Sequence, residues 1–304
     1  MQIHLPIAEM AVDPFVIIAI GAGVGFVSGL FGVGGGFLLT PLLMFAGVPA
    51  AVAVSTQANQ VLATSIAGAS EHWRHRAVDV RMGGFMMAGG LFGSALGVWV
   101  FRILRESGDI EAAIASLYVV FLGIIGGLMF WESLSALLKS TGGGDPKRRR
   151  ALRAWTRILP FKRRFPRSGL YISFIPPILI GFFVGFIAAV LGIGGGFILA
   201  PAMVYLLGIP TRVMVGTSLF QIIFLTAFVT FLQATINQTV DLVLAAVLMV
   251  GGVVGARLGA KAGQHLNAAQ LRFLLALVIL AMGGKLAFDL FFGEVSEFHL
   301  EALH

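Results

Sequence analysis

Two clusters of glycine and neutral polar residues interrupt otherwise apolar segments, and their residue types are suited to binding an anion. Each cluster opens with three consecutive glycines, in "FGVGGGFLLTP" (31–41) and "LGIGGGFILAP" (191–201). Hydroxyl and amide side chains follow in "STQANQ" (55–60) and "GTSLFQ" (216–221). Backbone N–H groups, hydroxyls and amides all donate hydrogen bonds, so together they can hold the oxygens of an anion without a charged side chain.

The triple glycines predict a break in the chain and the start of a short helix at Phe37 and at Phe197. The first turn of a helix presents unpaired N–H groups and the positive end of the helix dipole, and both attract anions. Glycine also lets a ligand approach the backbone closely. The alternative is that these glycines only permit close packing of membrane helices.

The hydroxyl and amide residues lie inside apolar segments, where polar groups cost free energy unless they meet a partner or a ligand. Hydrogen bonds between helices are the alternative explanation. Because the same polar residues recur after both glycine breaks, we predict one substrate site that both clusters share. Gly216 stands where the first cluster has Ser55, so the first half is expected to be the stronger donor. The predicted substrate-binding residues are Gly34, Gly35, Gly36, Ser55, Thr56, Asn59, Gln60, Gly194, Gly195, Gly196, Thr217, Ser218 and Gln221.

Few ionisable residues lie deep in the apolar segments. Lys285 is a candidate cation inside the membrane, with the alternative that its long side chain reaches the membrane surface. His72 and His75 could carry protons, but the neighbouring arginines favour a surface loop. Asp79 and Asp241 each precede an apolar segment, which favours helix N-caps. The sequence has no cysteine and no motif for a metal or a cofactor, so neither is expected.

The elements that must hold these residues are membrane helices. The chain has 304 residues, of which 58% are hydrophobic and 12% charged, and its mean hydropathy is +0.95. A soluble core of this length could not bury so much apolar surface, so we predict an all-α polytopic membrane protein. The apolar runs do not alternate with polar residues as barrel strands would. They are 15–31, 82–101, 112–131, 171–193, 213–236, 242–256 and 271–293.

The two halves of the chain repeat one another. Aligning them pairs the glycine runs and also pairs Pro41 with Pro201, Thr56 with Thr217, Gln60 with Gln221, and Asp79 with Asp241. Glycines at fixed helical spacing favour close helix packing; they are Gly21, Gly25 and Gly29, Gly89, Gly93 and Gly97, and Gly251, Gly255 and Gly259. The predicted parts are a first transmembrane repeat (1–138), a basic linker (139–170), a second repeat (171–293) and a C-terminal tail (294–304).

Each repeat contains five hydrophobic segments, and this odd number predicts that the second repeat is inverted in the membrane. The glycine breaks are then expected to meet near the membrane midplane. Loop charges agree with this arrangement, because residues 71–81 carry three arginines whereas the matching loop 234–242 carries no Lys or Arg. The segments 36–46 and 196–207 are short, so the alternatives of crossing the membrane and re-entering it stay open.

The linker holds more than half of the positive charge, with eleven of the 21 Lys and Arg residues between Lys139 and Arg167. Such a patch could bind nucleic acid, but Lys and Arg are enriched in the cytoplasmic loops of membrane proteins. We therefore predict a cytoplasmic linker, no nucleic-acid partner, and both termini outside.

The motifs "GVGGGF…TP" and "GIGGGF…AP", each followed by "GVP" or "GIP" and a segment with Thr and Gln, resemble those of the TauE/SafE (TSUP) family of sulfite and organosulfonate exporters. The resemblance covers 15–138 and 171–290. It implies a protein of the bacterial cytoplasmic membrane that exports small sulfur oxyanions such as sulfite or sulfoacetate. The family also includes proteins proposed to carry other organosulfur compounds.

We therefore expect a secondary transporter in the lipid bilayer that works by alternating access, with protons as a candidate coupling ion. A passive anion channel, or an importer of another small organosulfur anion, is the alternative. An enzyme is not expected, because the sequence contains no G-x-S-x-G, H-E-x-x-H or Walker motif.

Overall fold

The protein is an all-α polytopic membrane protein. Its structure, a computed structural model, describes residues 3–31, 36–74, 78–108, 110–138, 160–263 and 268–292. Most of the basic linker (139–159), the tail beyond residue 292, and His75 lie outside these ranges.

The described residues form five helices in each half, and each set of five follows a short β-hairpin. The first half contains β1 (Ile3–Leu5), β2 (Met10–Val12), α1 (Pro14–Phe31), α2 (Gly36–Phe45), α3 (Ala50–Arg74), α4 (Val80–Glu106) and α5 (Ile110–Leu138). The second half contains β3 (Lys162–Phe165), β4 (Leu170–Ser173), α6 (Ile175–Leu191), α7 (Gly196–Ala202), α8 (Thr211–Leu232), α9 (Leu242–Gly263) and α10 (Ala268–Phe292). A π-helical turn extends α7 over Met203–Leu207 and another extends α8 over Gln233–Asn237.

Five of these helices contain stretches that are long and apolar enough to cross a membrane by themselves. Their outward faces carry large exposed apolar side chains, such as Phe92, Trp131 and Phe291, each 76% exposed. Apolar side chains on an outer surface are stable when they face lipid, which explains their placement here. The qualifying stretches are Val80–Glu106, Ile110–Trp131, Val213–Asn237, Leu242–Gly259 and Phe273–Phe291.

Glycine faces hold the two halves together. Helix α1 packs on α9 and α4 packs on α6, so each contact joins one half to the other. A methyl group at Gly21 would lie 2.8 Å from the Leu248 carbonyl oxygen, and one at Gly97 would lie 2.7 Å from that of Phe186. Larger side chains would separate these helices, so the packing role predicted for the regularly spaced glycines is confirmed.

The directions of the packed helices follow one pattern. Along α1 and α9 the contacting positions rise together, from Gly21 with Leu248 to Gly29 with Ala256, so these helices are parallel. Helices α4 and α6 are parallel in the same way, whereas α5 and α10 are antiparallel. An inverted repeat of five-helix units requires this pattern. The orientation of the two repeats in a membrane stays a prediction.

The β-hairpins were not predicted from the sequence. In each hairpin an antiparallel pair of strands is joined by a four-residue loop that begins with proline, at Pro6 and at Pro166. The last loop residue has a left-handed backbone in both cases, with φ of 52° at Glu9 and 64° at Gly169. The hairpin is thus part of the repeated unit, and the second hairpin spans the predicted boundary between residues 170 and 171.

Candidate functional site

The two glycine breaks lie side by side in the structure. The rings of Phe37 and Phe197, each the second residue of its short helix, are stacked with their centroids 4.4 Å apart. A methyl group at Gly36 would lie 2.8 Å from the Ile193 carbonyl oxygen, so backbone from the two halves comes within packing distance. The starts of α2 and α7 therefore meet, as expected from the sequence.

The second break has a backbone that only glycine adopts readily. Gly192, Gly194 and Gly195 have φ values of 69°, 71° and 75°, and Gly196 begins α7. The Gly195 carbonyl accepts from the Leu199 N–H at 2.9 Å, whereas no backbone acceptor among the described residues pairs with the N–H groups of Gly194, Gly195 or Gly196. Gly34 and Gly35 of the first break lie outside the described residues.

Two side chains of the first half bind the second break. The Tyr118 hydroxyl donates to the Leu191 carbonyl at 2.5 Å. The Gln57 side-chain amide donates to the carbonyls of Leu191, at 3.4 Å, and of Gly192. Tyr118 was missed in the sequence, although a tyrosine inside an apolar segment is a signal that could have identified it. These contacts fix the shape of the break from across the interface between the halves.

Oxygen atoms without donors lie around this meeting point. The Tyr118 hydroxyl is beside the side chains of Thr40 and Gln57. Thr40 Oγ1 and Gln57 Oε1 are buried, and no hydrogen-bond partner for either is found among the described residues. A buried acceptor without a donor is costly, so a ligand or water that brings a hydrogen would be stabilised there.

Thr56 and Thr217 occupy matching and unusual positions. Both are fully buried, and each hydroxyl oxygen accepts a hydrogen bond from a backbone N–H of the other half. Asp241 N–H donates to Thr56 Oγ1 at 3.0 Å, and Asp79 N–H donates to Thr217 Oγ1 at 2.9 Å. Within the described residues neither hydroxyl donates in turn, whereas the Thr226 hydroxyl on α8 donates to its own helix. Within the described part of the chain, the hydroxyl hydrogen of each threonine is therefore unpaired.

Gln60 and Gln221 also form a matched pair, one helical turn beyond the threonines. Gln60 Nε2 donates to the Gly21 carbonyl of α1 at 3.2 Å, and Gln221 Nε2 donates to the Met86 carbonyl of α4 at 3.3 Å. Both Oε1 atoms are buried and lack a donor within the described ranges. The two glutamines thus tie α3 and α8 to the other helices and each leaves one acceptor free.

The remaining predicted polar residues, Ser55, Asn59 and Ser218, donate to backbone carbonyls of their own helices. The Ser55 hydroxyl donates to the Ala51 carbonyl at 2.8 Å and shares a hydrogen bond with Thr239 at 2.6 Å. Asn59 Nδ2 donates to the Thr56 carbonyl at 3.3 Å, and the Ser218 hydroxyl donates to the Val215 carbonyl at 3.0 Å. Ser55 therefore gives the first half no additional free donor over the second.

The ionisable candidates divide into caps and surface groups. Asp79 caps α4 by accepting from the Met82 N–H at 3.2 Å, and Asp241 accepts from the Val243 and Leu244 N–H groups at 3.0 Å, so both N-cap predictions are confirmed. Lys285 is exposed, lies over the Phe45 ring and pairs with Asp289 at 3.6 Å. His72 lies in the last turn of α3, but its side chain is outside the described part of the chain.

The described side chains that contact the glycine breaks carry no formal charge; they include Gln57, Val61, Tyr118, Phe121 and Val184. A helical membrane bundle with broken helices that meet at a neutral polar site is the architecture of a secondary transporter.

Comparison with known proteins gives the family. The sequence model of the family described as Sulfite exporter TauE/SafE matches residues 17–286, and the chain belongs to this family. It is similar to the probable membrane transporter protein YunE of Bacillus subtilis (strain 168), with 29% identity over 70% of this chain and 74% of that protein. It is also similar to the probable membrane transporter protein YjnA of the same strain, with 28% identity over 67% and 72% of the two chains. No solved structure matches. The protein is thus a membrane transporter and not an enzyme.

Proposed function

We propose that this transporter exports small sulfur-containing oxyanions, such as sulfite or sulfoacetate, across the bacterial cytoplasmic membrane. The observation that carries the proposal is the meeting of the two glycine breaks at Phe37 and Phe197, beside backbone N–H groups that have no backbone acceptor among the described residues. The N–H groups of Gly194 to Gly196 would bind the oxygens of the anion, and the hydroxyls of Thr56 and Thr217 would bind it in turn, one on each side of the breaks. The family description supports sulfite as the substrate to test first.

Neutral donors suit a transporter better than a fixed cation would. An arginine in a dry site would bind an anion by a charge-assisted hydrogen bond, which is stronger than a neutral one and would slow release. Neutral donors recognise oxygens by geometry and still permit release on the other side. Replacing Gly195 or Gly35 by valine would block this approach to the backbone and should abolish transport.

Alternating access is supported by the same structure. The stacked rings of Phe37 and Phe197 are buried, with relative exposures of 1% and 2%, and in the proposed cycle they would close the path between the two ends of the bundle. Helices α1 and α9 pack closely, as do α4 and α6. In the proposed cycle, these two helix pairs would rock against each other around the site between the glycine breaks. The inverted arrangement has its own test. A cysteine at Gln238 should react with an impermeant maleimide from outside; reaction from the cytoplasmic side alone would contradict it.

Protons are the coupling ion that we propose. Gln57, Gln60 and Gln221 each leave a buried amide oxygen without a donor among the described residues. Such acceptors favour a ligand that carries a hydrogen, for example hydrogensulfite or an oxyanion that enters together with a proton.

A thermal-shift screen of the purified protein in detergent tests the substrate. A ligand present at 100 times its dissociation constant stabilises the folded state by about 2.7 kcal/mol, so binders should raise the melting temperature in proportion to the logarithm of their concentration. We expect a rise with sulfite or sulfoacetate and none with chloride or lactate. Stabilisation by chloride and lactate to the same extent would indicate a general anion site and contradict the proposal.

A further inference from the structure

Each β-hairpin is held by a buried aspartate of the other half. Asp79 Oδ2 accepts from both the N–H and the hydroxyl of Ser168 in the second hairpin, at 3.0 and 2.8 Å. Asp241 Oδ2 accepts from the Ile7 N–H in the first hairpin at 3.0 Å. Asp79 and Asp241 are 1% and 0% exposed, so these contacts are enclosed in protein.

Each hairpin also inserts one large apolar side chain. Leu5 and Phe165, the residues before the loop prolines, are both 1% exposed. Leu5 belongs to the same buried cluster as Leu244 at the start of α9, and Phe165 belongs to that of Met82 at the start of α4. The hairpins therefore cover the starts of these helices and the apolar space behind them.

The two hairpins lie at opposite ends of the bundle. The first is held by Asp241, which contacts Thr56 near the start of α3. The second is held by Asp79, five residues beyond the end of α3 at Arg74. From Thr56 to Arg74 the helix advances 18 residues, or about 27 Å at 1.5 Å per residue. That separation is close to the thickness of the hydrocarbon core of a bilayer.

Each aspartate connects a hairpin to one threonine at its own end of the bundle. The side chain of each aspartate binds the hairpin, while its backbone N–H donates to the threonine, in the chains Ile7–Asp241–Thr56 and Ser168–Asp79–Thr217. A change at either threonine would therefore shift the aspartate that holds the hairpin.

We propose that the two hairpins are the two gates of the transporter, each latched by the aspartate of the opposite half and opened in alternation. An anion that draws the Thr56 or Thr217 hydroxyl into another rotamer would break its bond to the aspartate N–H and loosen the corresponding hairpin. The two latches are unequal, because Ala8 stands where the second hairpin has Ser168 and provides no hydroxyl. The first hairpin is the gate that opens more readily.

The gates can be tested with single cysteines, since the chain has no cysteine of its own. Met82→Cys reports on the space behind the second hairpin and Leu244→Cys on the space behind the first; both positions are 0% exposed and correspond in the repeat. The rate of reaction with N-ethylmaleimide measures how often each gate opens. Ser168→Ala removes one hydrogen bond between Asp79 and the second hairpin. The cysteine in Met82→Cys should then react about tenfold faster, which is equivalent to about 1.4 kcal/mol. The reaction rate of the cysteine in Leu244→Cys should not change.

The converse change is Asp241→Asn, which keeps one oxygen to cap α9 and replaces the oxygen that accepts from Ile7 with an amide nitrogen. The cysteine in Leu244→Cys should then react faster and the cysteine in Met82→Cys should not. Asp13→Asn is the matched control, because Asp13 accepts from the Phe15 N–H at the start of α1 and makes no contact across the halves among the described residues. Equal acceleration of both reporters by Ser168→Ala, or acceleration of neither, would overturn the proposal. The assay contains no substrate, so its failure is distinguishable from failure of the sulfur oxyanion proposal.

Discussion

Replacing Thr56 or Thr217 by valine tests whether the hydroxyl of each half takes part in anion binding. Each change removes a hydroxyl whose hydrogen is not donated within the described part of the chain, and it keeps the shape of the side chain. If the hydroxyl binds an oxygen of the anion, its loss leaves that oxygen without a donor at a cost of about 1–3 kcal/mol. Sulfite affinity should then fall roughly 5- to 150-fold.

The two losses are expected to be equal. The Ser55 hydroxyl is bonded to Ala51 and Thr239, so the first half has no extra donor and the difference expected from the sequence should disappear. The two losses are not expected to couple, because Thr56 and Thr217 bond to aspartates at opposite ends of the bundle and the effects of distant residues add within about 0.5 kcal/mol.

The assay is a sulfite titration of the melting temperature for each purified variant, which separates affinity from stability because the protein without ligand is measured alongside. Thr56→Ser keeps the hydroxyl and should retain affinity. Thr64→Val on α3 and Thr226→Val on α8 are the controls, because those hydroxyls donate to carbonyls of their own helices. Unchanged affinity in both Thr56→Val and Thr217→Val would refute a role of these hydroxyls in anion binding.

Three further changes test the packing, the glycine break and the central constriction. Gly93→Ala would force a methyl group into the α6 backbone and should lower stability by about 1–3 kcal/mol, whereas Gly84→Ala meets open space and should be neutral; melting temperatures check both. Tyr118→Phe removes a hydrogen bond to the second break and should cost about 1 kcal/mol of unfolding free energy, which denaturant titration of the solubilised protein measures. Phe197→Ala removes the ring stacked on Phe37 and should allow sulfite to leak from loaded vesicles without a driving gradient, in contrast to the wild-type protein.

Features that depend on local pattern could be predicted from the sequence. The triple glycines predicted helix starts at Phe37 and Phe197, and the two short helices begin one residue earlier, at Gly36 and Gly196. Regular glycine spacing identified the packed helix faces, and aspartates before apolar segments identified the caps. Each of these signals is carried by neighbouring residues, so no knowledge of the partner helix was needed.

The hairpins and the cross-half contacts could not be read in the same way. Strands of three or four residues are too short to show an alternating pattern, although Pro166 follows Pro6 by 160 residues, the same interval as between Gly21 and Gly181. The Thr–Asp contacts join residues 185 and 138 positions apart. Helical periodicity shows which face of a helix is buried but not which helix will cover it, so these partners emerged only from the three-dimensional packing.

Counterflow of radiolabelled sulfite into proteoliposomes tests the central claim most directly. With excess unlabelled sulfite inside, a carrier takes up labelled sulfite transiently above equilibrium, whereas a passive channel does not. We predict this overshoot for the wild-type protein and for Gly108→Ala, where φ is 85° but no atom lies near the added methyl group, and its loss in Gly195→Ala at the break. Absence of an overshoot in the wild-type protein, or an undiminished overshoot in Gly195→Ala, would contradict a sulfur oxyanion carrier whose site lies between the two glycine breaks.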